Sequence, residues 1–491
     1  MRSERHDLLV TPAEMAAIDQ AAARSGIDSF LLMRSAGMAV SSAALRHFPG
    51  SVRFVVLCGP GNNGGDGYVA ACALAESGAT VAVFAHGDPG ALSGDAARVR
   101  SLWPGPVAPL DTYEPTAGDL VIDALFGAGL SRALPEDVVQ LVERVNGCGL
   151  PVVAVDLPTG VDGRTGEIRG AAFTAAHTVT FMAAKPGHWL LPGRSLCGAL
   201  EIFDIGIPRR ILDAGAGPLR LNTPAVWSGW SGELPAATHK FKRGHLVVFS
   251  GDRPATGAAR LAATAGLAAG AGLVTVASGK AALGINAAQL TAVMVKEVEG
   301  KRELAKWLQD GRLASFVLGP GFGVGKKARD YALAVCDRSL VLDADGITSF
   351  QSNREELFAA LASRGGQMVM TPHEGEFARL FPEIAGDGAL SKIEKAQKAA
   401  RISHAVIIYK GADTVIAGPD GRAVINGNAP PWLATAGSGD VLAGITGAHL
   451  AQGMPAFEAA AAAVFRHGAA GSRAGRGLTA ETLVSAIPPI A

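Results

Sequence analysis

The chain has 491 residues, too many for one ordinary domain, and its 48% hydrophobic and 18% charged residues supply buried cores and exclude disorder. Lysine plus arginine and aspartate plus glutamate both number 44, so no net field draws the protein to nucleic acid or to an anionic membrane. Five cysteines (Cys58, Cys72, Cys148, Cys197, Cys336) without a CxxC spacing argue against a disulfide framework or a zinc site and for a reducing, cytoplasmic setting. The opening residues hold no apolar signal-like core, and no run reaches about 18 apolar residues, so secretion and membrane spanning are disfavoured.

In chain order, Thr11 with Pro12 and Glu14 starts two apolar-periodic helices that end near His47. A strand at 52–57, a loop GPGNNGGDG, a helix at 68–76 and a strand at 80–85 form a βαβ unit. Strands at 120–124 and 152–155, with a helix near 135–145, continue the alternation and predict a mostly parallel sheet covered on both faces. Residues 205–240 are rich in Gly and Pro, which puts a boundary near 215–230 and domains at 1–220 and 221–491. A second alternation follows, with strands at 246–250, 273–277, 316–318, 340–343, 368–371 and 406–409 and a helix at 258–269. The fold class is α/β, two domains, each with a mostly parallel sheet flanked by helices.

Residues 59–64, GPGNNG, satisfy G-x-G-x-x-G between a strand and a helix. A dinucleotide fold of the dehydrogenase type also needs an acid at the end of its second strand, yet that strand ends AVFAHG and the first acid is Asp88. Asn62, Asn63 and Asp66 among the glycines offer N–H groups for a phosphate and oxygens for a cation or ribose. Asp123 in VIDALFGAGL and Asp156 in VVAVDLPTG end predicted parallel strands on the same edge. Either alone reads as a cap or an Asx turn; their convergence with the glycine loop makes a site. Lys185 in TFMAAKPGH stands where a strand meets a Pro-Gly turn and reads equally as an acid/base or phosphate group and as a surface lysine.

In the second half, Gly257 and Ala258 open a small-residue helix, and LGPGFG, LDADG (Asp343, Asp345) and TPHEGEF (His373, Glu374, Glu376) each follow a predicted strand. TAGSGDVLAG places Gly437, Gly439 and Asp440 at a helix start, where free N–H groups suit a transferring phosphoryl group and Asp440 can accept a proton. KGADT, residues 410–414, lies upstream as a nucleotide-facing loop.

GPGNNGGDG, VIDALFGAG and VDLPTGVDGRTGE resemble the Rossmann-like NAD(P)HX epimerase domain of the bifunctional NAD(P)H-hydrate repair enzymes. TGAA, GPGFG, DADG, TPHEGEF, KGADT and TAGSGD are similar to the ADP-dependent NAD(P)H-hydrate dehydratases of the ribokinase-like superfamily. For the first domain the resemblance implies substrate contacts at Asn62, Asn63, Gly64, Gly65, Asp66, Gly127, Ala128, Gly129, Leu130, Ser131, Arg132, Ala133 and Asp156, with Asp156 also catalytic. It implies a potassium ion (K+) on Asn63, Asp123 and Thr159, where the family more often has Ser. For the second it implies substrate contacts at Ala258, Gly321, His373 and Asp440, and nucleotide contacts at Lys410, Gly411, Ala412, Asp413, Thr414 and Gly439. Asp440 would be the base, with Mg2+ accompanying ADP.

The expected activity is therefore interconversion of R and S NAD(P)HX, then ADP-driven dehydration of the S epimer with release of AMP and phosphate. A ribokinase-type small-molecule kinase fused to a non-catalytic nucleotide-binding domain is the alternative. The partners expected are these small molecules, without nucleic acid or membrane, and the composition is compatible with a homo-oligomer.

Overall fold

A computed structural model describes residues 7–230 and 239–490; residues 231–238 of the Gly/Pro-rich run and the first six residues lie outside them. The chain divides into two compact units, Met1–Leu219 and Arg220–Ala491.

The first unit opens as its sequence predicts. Thr11 caps the helix Pro12–Arg24 in a reciprocal capping box, the Glu14 N–H donating to Thr11 Oγ1 and the Thr11 N–H to Glu14 Oε2. Seven strands follow: β1 Arg53–Cys58, β2 Val81–Ala85, β3 Val107–Pro109, β4 Asp119–Ala124, β5 Val152–Val155, β6 His177–Phe181 and β7 Ala199–Phe203. They pair in parallel in the order β3-β2-β1-β4-β5-β6-β7. The order reverses between β1 and β4, and a crevice opens there at the carboxyl ends of the strands. Strands β1, β4, β5 and β6 are almost wholly buried because helices cover both faces. Helices Ser29–His47 and Asn62–Glu76 pack with Val56, Ile122 and Val153 on one side, and helix Glu136–Gly147 packs with Val55, Val121 and Ala154 on the other.

The structure corrects the expected loop at 59–67, because the helix starts at Asn62 rather than Tyr68. Glycine normally weakens a helix, but here it allows contacts that a side chain would forbid. A Cβ at Gly64 would lie 2.0 Å from Gly59 O, and one at Gly67 would lie 2.6 Å from Ala124 Cβ. Strands β3 and β7 are additions to the sequence reading, and β6 is the strand expected ahead of Lys185.

The second unit is built on a ten-stranded sheet. Its strands are β8 Leu219–Leu221, β9 His245–Phe249, β10 Leu273–Ser278, β11 Met294–Glu297, β12 Ser315–Leu318, β13 Ser339–Leu342, β14 Met368–Met370, β15 Val406–Tyr409, β16 Val415–Ala417 and β17 Ala423–Ile425. The order is β11-β10-β9-β12-β13-β14-β15-β16-β17-β8. Pairing is parallel from β11 to β15 and antiparallel from β15 through β17. Helices Gly257–Ala268 and Ser438–Ala451 lie backbone to backbone, since a Cβ at Gly444 would come 2.1 Å from Ala262 O. Gly437 meets Leu261 and Gly444 O meets Gly266 further along, so the two helices run in the same sense and present their N-termini together.

Candidate functional site

In the first unit a cavity of about 740 Å3 opens at the carboxyl ends of β1, β4, β5 and β6. Asn62, Asn63, Asp66, Asp156 and the loop from Gly127 to Arg132, all among the residues singled out in the sequence, line it. Gly64, Gly65 and Ala133 do not; the two glycines are buried in the helix behind the wall, and Ala133 is exposed beyond it. The first turn of helix Asn62–Glu76 has no side-chain cap, which leaves its N–H groups free for an anion.

Asp156 is held from every side. It is a non-glycine residue in the left-handed region, with φ 66°. Its N–H donates to Val179 O at 2.8 Å, and its carbonyl accepts from His188 Nε2 at 2.7 Å. Oδ1 takes the Lys185 ammonium at 2.6 Å and the Thr180 hydroxyl at 2.9 Å, and Oδ2 takes the Ala128 N–H at 2.9 Å. Burial raises such a carboxyl, but the Lys185 charge and these hydrogen bonds outweigh it and hold Asp156 at about 2. Lys185 is only 2% exposed, which rules out the surface-lysine reading. The apolar stretch Phe181 to Ala184 ahead of it was the available signal.

Asp66 and Asp19 also face the cavity, and the sequence does not mark them as an acid/base pair. Desolvation, then the Asp156 and Asp19 charges, push the half-buried Asp66 well above the usual carboxylate range. Asp19, in the first helix and exposed at the cavity mouth, is pushed up to about 6 by desolvation and by Asp156, against Lys185.

Behind the cavity, Asp123 is fully buried. It accepts the Thr159 N–H and hydroxyl, both at 2.6 Å, and burial still raises it to about 6. The Thr159 hydroxyl in turn accepts the Phe126 N–H at 2.9 Å. Among the described residues Asn63 Nδ2 is buried without a partner, and Asn63 Oδ1 lies 2.9 Å from where a Cβ on Gly127 would be. The Asp123 carboxyl and the Thr159 hydroxyl, in direct contact and buried, offer hard oxygen donors of the kind that fit a weakly held cation.

In the second unit the residues predicted from separate motifs meet around Lys410. Its ammonium binds Asp343 Oδ1 at 2.8 Å, lies 3.9 Å from Glu376 Oε2, and sits 3.6 Å from where a Cβ on Gly439 would be. Burial lowers Lys410, but Asp343 and Glu376 reverse this and raise it. Asp343 also accepts the Thr371 hydroxyl. Asp440 stands in the first turn of helix Ser438–Ala451, whose N-terminus has no side-chain cap. Desolvation and the Asp343 charge raise Asp440 to about 6, against Lys410. Asp343 and Glu376 are members of this cluster that the motif matching left without a role.

Ala258 and Gly321 are neighbours, since a Cβ at Gly321 would lie 3.4 Å from that of Ala258. His373 caps helix Glu374–Leu380, its Nδ1 accepting the Gly375 and Glu376 N–H groups, while its side chain stays half exposed. Gly411, Ala412 and Asp413 form the turn of the β15–β16 hairpin; Thr414 Oγ1 donates to Gly411 O at 2.7 Å, and Lys392 binds Asp413.

A family model described as YjeF-related protein N-terminus matches residues 29–187, and one described as NAD(P)H-hydrate dehydratase matches residues 246–489. A relative from Moorella thermoacetica named bifunctional NAD(P)H-hydrate repair enzyme is 37% identical over 95% of this chain and 92% of its own length. The chain belongs to the bifunctional NAD(P)H-hydrate repair enzyme family. A second bifunctional NAD(P)H-hydrate repair enzyme, from Escherichia coli, is 33% identical over 95% of this chain and 90% of its own. Among solved structures, an ADP/ATP-dependent NAD(P)H-hydrate dehydratase from Bacillus subtilis, co-crystallised with ATP and Mg2+, is similar over 52% of this chain and 92% of its own, with 25% identity and a TM-score of 0.45.

Proposed function

We propose that this chain repairs NADH or NADPH hydrated at the nicotinamide ring. The first unit interconverts the R and S epimers at the hydroxylated ring carbon, and the second dehydrates the S epimer using ADP, releasing AMP and phosphate. Family membership supports both activities, and the observation that carries the second is Asp440 in the first turn of an uncapped helix beside the Lys410–Asp343 pair.

In the second unit Asp440 takes the proton of the substrate hydroxyl, whose oxygen attacks the terminal phosphorus of ADP as AMP leaves. A carboxyl raised to about 6 is matched to that proton transfer near neutral pH. The helix N–H groups and Lys410 stabilise the phosphoryl charge. Phosphate then leaves the ring carbon with help from the adjacent nitrogen, and loss of a neighbouring proton restores the dihydropyridine. Lys410, Gly411, Ala412, Asp413, Thr414 and Gly439 hold the nucleotide, and Ala258, Gly321, His373 and Asp440 the hydrated dinucleotide. Asp343 is engaged by Lys410 and Glu376 by the His373 N–H; Mg2+ would accompany ADP and supply positive charge to its phosphates.

In the first unit the free end of helix Asn62–Glu76 receives a phosphate and the loop from Gly127 to Arg132 contacts the dinucleotide. Asn63, Asp123 and Thr159 would hold K+, which supplies positive charge behind the cavity and balances the buried Asp123 carboxylate. All five cysteines are free, which supports a reducing compartment such as the cytoplasm, and no described helix is long and apolar enough to cross a membrane.

Purified protein given mixed R and S NADHX, ADP and Mg2+ should restore the dihydronicotinamide absorbance from both epimers, and Asp440→Asn should abolish this. Consumption of the S epimer alone would remove the epimerase from the reading. A stable phosphorylated product would replace the dehydratase with a kinase.

A further inference from the structure

The first cavity is lined by Asp19, Asp66, Asp95 and Asp156, which carry carboxyls, and by Lys185 and Arg132, which carry positive charge. These carboxyls are not equivalent. Asp95 accepts the Ser29 hydroxyl, Asp19 is exposed at the mouth, and both oxygens of Asp156 are occupied by Lys185, Thr180 and Ala128. The Asp66 carboxyl lines the wall, is half-buried, and receives no hydrogen bond from a described residue. Its backbone is fixed, because helix Ser29–His47 packs so closely that a Cβ on Gly37 would lie 2.5 Å from Asp66 O. A half-buried carboxyl on a rigid helix, lining the cavity and holding no hydrogen bond from a described residue, is equipped to move a proton; a neighbour with both oxygens committed is equipped only to carry charge.

We propose that Asp66 is the proton donor of ring epimerisation in one direction and its acceptor in the other, while Asp156, locked by Lys185, is the fixed anion beside the ring. The proposal rests on the epimerase reading above, and it gives the catalytic proton transfer to Asp66 where the sequence pointed to Asp156. As the ring nitrogen forms a double bond to the hydroxylated carbon, the carbon–oxygen bond breaks and the Asp66 proton passes to the departing oxygen, which leaves as water. The resulting ring cation is stabilised by the Asp156 carboxylate. A second water adds to the opposite face, the electrons of the double bond return to nitrogen, and its extra proton passes to solvent at the mouth. Asp66 regains a proton from solvent, so no proton, oxidant or reductant is consumed. The opposed displacements of the two groups, Asp66 well above its ordinary range and Asp156 at about 2, agree with this division of labour.

The test follows R-to-S conversion by the full chain without ADP, from pH 5 to 9, in the wild type, Asp66→Asn, Asp19→Asn and Lys185→Met. The titrating and charged groups that line the cavity with Asp66 are Asp19, Asp95, Arg132, Asp156 and Lys185, with His188 behind Lys185. The wild-type rate should fall as pH rises and Asp66 ionises. Asp66→Asn should lose about 100-fold to 10,000-fold in kcat at little change in KM and should lose that alkaline fall. Run in 18O-water, each wild-type conversion should place solvent oxygen on the ring carbon. If Asp66→Asn misfolds by its melting curve, Asp66→Ser gives the same comparison. An Asp66 variant within threefold of wild type, a loss that falls on Asp19→Asn instead, or retention of the original oxygen overturns the proposal while leaving the epimerase intact. A wild-type protein that does not interconvert the epimers at all overturns both.

Discussion

The Lys185 ammonium and the Asp156 carboxylate, 29 positions apart in sequence, meet at 2.6 Å with the lysine side chain almost wholly buried. Removing one partner leaves a charge inside the protein without compensation. Lys185→Met should therefore cost about 3 kcal/mol of stability, read as a lower urea midpoint of the first unit. The sign with pH follows from the depressed Asp156: its stabilisation is complete above the ordinary carboxylate value of 3.8 and is lost as pH falls toward 2. That acid transition should vanish in the variant.

Potassium should stabilise the first unit. Asp123 is a buried carboxyl raised to about 6 with only neutral donors around it, so a cation there offsets its desolvation. The melting midpoint should rise on replacing tetramethylammonium by K+ at constant ionic strength. Asp123→Asn should remove the K+ dependence, and an equal response in the variant would place the ion elsewhere.

Gly64→Ala should be severe although alanine is the better helix former. Its Cβ would lie 2.0 Å from Gly59 O, and backbone cannot yield as a side chain does. We expect a loss of about 2 kcal/mol or more in denaturant unfolding and a collapse of first-unit activity, because the displaced helix start carries Asn62 and Asn63. Gly61→Ala, with no atom within 4 Å of the added methyl, is the control and should unfold like the wild type.

Acid should weaken the second unit well above pH 4. Burial pushes His449 down to about 3, aided by Arg466, and His467 down to about 4 against its Ser438 hydrogen bond. The unfolded chain takes up these protons first, so stability is full above about 6.5 and falls below it, by about 2 kcal/mol per histidine at pH 5. Asp440, raised to about 6, works in the opposite sense and returns about 1 kcal/mol over the same interval. Urea midpoints between pH 7.5 and 5 should show the net decline, and His449→Gln should flatten it.

The elements legible in the sequence were those with a strong apolar run beside a glycine or acid, such as β1, β4 and β5 with Asp123 and Asp156 at or just beyond their ends. The helix start at Asn62 was not, because Asn-Asn-Gly-Gly reads as a turn until the close approach of Gly59 and Ala124 is known. Short strands such as β16 and β17 are three residues each and carry too little pattern to stand out. Motif positions located Lys410 and Asp440, but the Lys410–Asp343 and Lys185–Asp156 pairs join residues 67 and 29 apart, and only the folded sheet brings them together.

The small strand β8 carries a practical consequence for shortening the protein. It lies at the outer edge beside β17, and just after it Asn222 donates its N–H to Ile425 O and its side-chain amide to Asn426 and Ala461. A second half cut at residue 246, where its family match begins, would leave Ala423–Ile425 with a bare backbone ready to recruit strands from other molecules. Excision just ahead of Leu219 keeps that margin sealed, and the difference should appear as soluble yield rather than as a change in turnover.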